Sequence, residues 1–141
     1  MKKKELLFII ESLELGGAEK SLVTLLRYLD YSAYNVSLIL IKKEGVFNKF
    51  IPKEVNIIYY DIFKNTSFIK KIISRIIFLL LRKTNTKYNT AHLFWKAFGK
   101  NIPNHTKKYD IAIAYSQGFA TYFTSKKIKA NKKYSWLNID Y

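Results

Sequence analysis

The chain has 141 residues, 49% hydrophobic and 25% charged, which suits one domain with a genuine core and excludes both wholesale disorder and two full-sized domains. It has no cysteine, so disulfides, thiolate metal sites and cysteine nucleophiles are excluded. Lys and Arg number 25 against 10 Asp and Glu, a formal charge of +15, and such a field attracts phosphates on nucleic acid, lipid or a metabolite.

In chain order, residues 6–10 are a continuous apolar run, the pattern of a strand covered on both faces in a parallel sheet. Residues 11–17 form a loop ending in Gly16 and Gly17. Residues 18–29 read as a helix, with Ala18, Leu22, Leu25, Leu26 and Leu29 on one side. A polar turn precedes a second strand over 36–41, which Gly45 ends. Pro52 lies in the connection to a third strand over 55–60.

Residues 68–83 give the clearest helical pattern. Ile69, Ile72, Ile73, Ile76 and Leu80 share a face, and Lys70, Lys71, Ser74, Arg75 and Arg82 lie opposite. The expected packing lays the apolar face on the sheet and leaves the lysines in water. The same lysine–isoleucine mix suits an anionic membrane surface, and Phe78, Leu79 and Leu81 add spare apolar area.

Residues 91–98 read as a short helix ended by Gly99. A basic loop follows, then a buried strand over 109–115, a turn at 116–118, a helix over 119–127 and a last strand over 134–139. The order predicts an α/β fold, a Rossmann-like three-layer sandwich with a mainly parallel sheet. His92 and Trp136 are expected to be packed, and His105 solvated.

Only three of the 25 cations are arginine (Arg27, Arg75, Arg82). Base reading and bidentate phosphate clamping favour arginine, so nucleic acid is not an expected partner. Residues 76–81 form the longest apolar run, short of a spanning helix. The expected location is the cytoplasm, with any membrane contact peripheral, at the inner face of the plasma membrane.

In an open α/β sheet, ligands bind where the strands end and helices begin. The first such loop is Ser12-Leu13-Glu14-Leu15-Gly16-Gly17-Ala18-Glu19. Its glycines let backbone approach a ligand, and the helix start offers free N–H groups to a phosphate. Glu19 either complements the helix dipole or contacts ligand. The loop is neither a dinucleotide fingerprint nor a Walker A loop, because the third glycine of one and the Gly-Lys-Ser/Thr of the other are missing. Ser116, Gln117 and Gly118, after a later strand, are candidates to line the same cleft.

These blocks resemble the start of GT-B-fold retaining glycosyltransferases of the group related to glycogen and sucrose synthases, which includes capsule and lipopolysaccharide enzymes. The likeness runs through Lys4 to Ile10, Leu15-Gly16-Gly17-Ala18-Glu19-Lys20, Tyr34-Asn35-Val36-Ser37-Leu38, Tyr109 to Tyr115, Gly118-Phe119-Ala120-Thr121 and Trp136-Leu137-Asn138-Ile139-Asp140-Tyr141. It covers only the N-terminal, acceptor-side half of that fold. The resemblance implies that residues 1–141 are an incomplete Rossmann-like domain and that the C-terminal nucleotide-sugar domain is missing. It implies transfer of a sugar from a nucleotide-sugar to a glycan or lipid-linked acceptor, with no metal and no cofactor. By the same likeness Gly16 and Gly17 sit beside the donor phosphates. Asn138 stands where the family usually has histidine, and Asp140 matches the family's aspartate. Asn138 and Asp140 are thus the implied catalytic positions, and Asp140 could equally cap a following helix. The isolated chain is expected to be inactive. The alternative is a non-catalytic, membrane-associated subunit of a split enzyme, paired with a chain that carries the other domain.

Overall fold

The structure, a computed structural model, describes residues 2–64, 66–84 and 87–137. Five strands form one sheet: β1 (Lys4–Ile10), β2 (Tyr34–Leu40), β3 (Asn56–Tyr59), β4 (Lys108–Ala114) and β5 (Lys129–Ser135). Their order is β3-β2-β1-β4-β5, and every pairing is parallel. Four α-helices are present among the described residues: α1 (Gly17–Arg27), α2 (Phe68–Thr84), α3 (Thr90–Phe98) and α4 (Phe119–Lys127). This is the expected Rossmann-like three-layer α/β fold.

The alternation of side chains along each strand divides the core in two. Leu6, Phe8 and Ile10 face α1, where they pack with Leu22, Leu26, Val36, Leu38 and Leu40. Leu7 and Ile9 face the other way and pack with Ile39, Ala112, Ala114 and Phe123. Phe94 and Trp95 of α3 join that second face. β1 is central and covered on both sides, which is why its sequence is an unbroken apolar run.

Two expectations about the elements themselves fail, each for a physical reason. Among the described residues the last strand begins at Lys129 and ends at Ser135, whereas the sequence places it over 134–139, of which 138 and 139 lie outside the described residues. It is an edge strand whose residues are mostly exposed, so it needs no apolar run, and its lysines suit an unpaired edge. The second correction concerns α2, whose apolar face does not pack on the sheet. Its buried residue is Ser74, from the side assigned to solvent. Ser74 Oγ accepts a hydrogen bond of 2.9 Å from Asn101 Nδ2. Phe78 packs edge-on against Phe94 and Phe98 of α3. Thus α2 docks on α3, while Ile69, Ile73, Ile76 and Leu80 are exposed.

Among the described residues no helix is long and apolar enough to cross a membrane.

Candidate functional site

The chain winds outward from β1 to β2 and β3, then returns to lay β4 against the other side of β1. The β1–β4 junction is therefore the topological switch point. The loops leaving two such strands diverge to opposite faces, and a crevice opens between them. The loops here are Glu11–Gly16, which leads into Gly17 and Glu19 of α1, and Tyr115–Gly118, which leads into α4. The sequence-predicted Gly16, Gly17, Glu19, Ser116, Gln117 and Gly118 therefore lie along the two sides of this junction.

The first wall is anchored from below. Leu13 is fully buried in the α1-side core, and its carbonyl accepts from the Phe47 amide at 3.0 Å. Gly45 presses against the Leu13 backbone so closely that a Cβ would collide with it. Leu15 at the tip is 81% exposed. Gly16, in extended conformation, is the N-cap of α1 and provides no side-chain cap for the helix's first N–H groups. The first intrahelical bond is Lys20 N–H to the Gly16 carbonyl, 3.1 Å, so the amides before it are available to a ligand. A Cβ on Gly17 would meet nothing within 4 Å. Glu19 folds back against Gly16, where a Cβ would strike its carboxylate. Its negative charge thus sits at the positive end of the α1 dipole.

The second wall is tied to the first by Glu11, a loop residue that no sequence motif singles out. Its carboxylate accepts a hydrogen bond from Ser116 Oγ and a second, of 3.2 Å, from the Ala120 amide in the first turn of α4. Glu11 therefore caps α4, and Ser116 is engaged in that cap rather than presented freely to the crevice. Thr121 Oγ1 donates to the Ser116 carbonyl at 3.2 Å. Gly118 has φ +84°, and a Cβ there would also crowd Ala91, so its role is to make the turn into α4. Gln117 is exposed.

Tyr115 connects three elements at the crevice floor. Its hydroxyl pairs with Ser21 Oγ of α1 at 3.0 Å. Its ring stacks on Trp136, centroids 5.5 Å apart and planes 6° from parallel. Trp136 is not core: it is 50% exposed, held to the sheet by its N–H to the Ala114 carbonyl at 2.8 Å. Trp136 thus places a half-exposed aromatic ring just past the end of β5, a group suited to stacking with a sugar or a base. Asn138 and Asp140 lie outside the described residues.

The two histidines differ from one another. His92 is packed as expected, stacked on Tyr88 and paired through Nδ1 with the Tyr122 hydroxyl at 3.0 Å. His105 is packed too, contrary to expectation. Its Nε2 pairs with the Tyr109 hydroxyl at 3.1 Å, and its ring lies against Tyr60 and Tyr109. Burial, and then the Lys107 ammonium, hold its imidazole below the ordinary value of 6.5.

A cleft of about 720 Å³ lies elsewhere, beside the β3 exit, lined by Tyr59, Tyr60, Asp61, Lys64 and His105 among others. It shares no residue with the switch-point crevice. Among the described residues no three His, Asp or Glu side chains group to hold a metal ion. No protein-family model and no curated protein matches this chain.

Proposed function

We propose that this chain is the acceptor-side Rossmann-like part of a nucleotide-sugar-dependent glycosyltransferase acting on a glycan or lipid-linked acceptor in surface polysaccharide assembly. The observation that carries the reading is the uncapped α1 start, Gly16-Gly17, at the switch point of an all-parallel sheet. Gly17 leaves open space where a side chain would stand. N–H groups with no side-chain cap suit an anion that can share the helix end with Glu19, and the half-exposed Trp136 ring beside Tyr115 suits a sugar ring or base.

In the reaction, an acceptor hydroxyl oxygen bonds to the anomeric carbon and gives up its proton. The anomeric bond to the nucleoside diphosphate breaks, and the diphosphate leaves with the electron pair. The α1 amides would stabilise charge as it builds on that leaving group. The groups holding most of the nucleotide belong, on this reading, to a second Rossmann-like body. The 141-residue chain alone is therefore expected to transfer no sugar, and transfer by the purified chain would overturn this division of labour.

The direct test is calorimetric titration with uridine diphosphate. Native chain is expected to bind it in the millimolar range. Gly17→Ala should weaken binding about tenfold or more, because the methyl enters the ligand side of the helix start, while leaving the melting temperature unchanged or slightly raised. Equal binding by both chains would remove the glycine loop from the site.

A second reading is favoured by the exposed apolar face of α2. It makes the chain a non-catalytic, membrane-associated subunit that completes a transferase held on another chain. Loss of uridine diphosphate binding from the native chain, with membrane binding retained, would favour it.

A further inference from the structure

Helix α2 exposes eight large apolar side chains: Phe68, Ile69, Ile72, Ile73, Ile76, Ile77, Leu79 and Leu80. At about 100° per residue they fill an arc of roughly 180°, facing away from Ser74 and the α3 contact. A helix that needed this surface for folding would bury it. Ser74, Phe78 and Asn101 instead supply the contact with the rest of the fold.

The charge of the helix says what covers the arc. α2 carries Lys70, Lys71, Arg75, Arg82 and Lys83, and no Asp or Glu. By the same helical spacing Lys71, Arg75 and Arg82 border one side of the arc and Lys70 the other, with Lys83 at the C-terminal end. Lys71 and Arg82 lie over the Phe63 and Phe78 rings, 5.6 and 5.9 Å from the centroids. Those contacts hold both charges along the border of the arc. A second copy would bring five more cations against these five, within a dimer of two +15 chains. Like charges at that range repel. Anionic headgroups above an acyl layer complement both features at once.

We infer that α2 lies in the plane of an anionic bilayer surface, its isoleucine–leucine arc among the upper acyl chains and its cations among the headgroups. Seventeen residues with five cations do not cross a membrane but do lie along one. The inference rests on α2 alone and stands whether or not the crevice binds a nucleotide.

The test is co-sedimentation of the full chain with vesicles of 30% phosphatidylglycerol in phosphatidylcholine, and with pure phosphatidylcholine. Binding to the anionic vesicles is expected, at least about tenfold tighter than to the neutral ones and weakened by salt. The triple variant Ile73→Ser, Ile76→Ser, Leu80→Ser should lose about tenfold or more on the anionic vesicles. The pair Lys70→Ser, Arg75→Ser should lose roughly tenfold or more on the same vesicles. All five positions are exposed, so the circular dichroism and melting of both variants should match native. Binding that ignores lipid charge, or that survives the triple substitution, would overturn the inference. So would native-chain dimerisation that the triple variant abolishes, since the arc would then cover a second copy.

Discussion

At the scale of single residues, the crevice depends on how two carboxylates are used. Glu11 caps α4, and Glu19 covers the start of α1. An incoming phosphate must share that helix end with Glu19. Glu19→Gln removes the competing charge, so pyrophosphate affinity measured by calorimetry should rise by about threefold or more. A fall would mean that the carboxylate itself contacts the ligand. His105 gives a prediction in pH. Its imidazole is held below 6.5 in the fold, so the unfolded chain binds the proton more readily. Stability is therefore full above that value and is lost as pH falls through it towards the folded value. The urea midpoint should be lower at about pH 5.5 than at about pH 7.5, and His105→Gln should flatten the difference. That Gly16 and Gly17 stand at the start of a helix was legible in sequence, because a glycine pair ends the apolar strand's loop just where helical spacing begins. Glu11, Tyr115 and His105 were not. Their roles depend on partners far along the chain, Ser116 for Glu11 and Ser21 for Tyr115, or on a sandwich of aromatic rings that no local pattern announces.

At the scale of elements, periodicity located α2 within a residue and still assigned its face the wrong way round. Apolar spacing tells which residues share a side. It does not tell whether that side meets the protein. The distinction is measurable by urea unfolding. Ile76→Ala should change stability by no more than about 0.5 kcal/mol, as for a surface position. Phe123→Ala, at a fully buried residue of the second core face, should cost about 3–5 kcal/mol. A cost of about 2 kcal/mol or more at Ile76 would mean that α2 packs inward. β5 shows the converse limit. Its Lys-Ala-Asn-Lys-Lys-Tyr-Ser sequence carries no strand signal, because its stability comes from pairing with β4 and not from burial. Central strands were legible because both of their faces are covered.

At the scale of the whole molecule, strand order matters more than any motif. Placing β4 beside β1 brings loops about a hundred residues apart to one crevice, with Glu11 joined to Ser116 across it. The fold class followed from the succession of buried strands and helices. The junction did not, because several strand orders satisfy the same succession. The +15 charge also gains structure at this scale: part of it borders the outward arc of α2, on a separate element from the crevice. The central claim is that the α1 start receives a phosphate group. Amide-resolved NMR of the native chain during pyrophosphate titration tests it most directly. Saturable shifts are expected at Gly17, Ala18 and Glu19, with no comparable shifts along β5. Shifts spread over the lysine surface, with none at the α1 start, would contradict it.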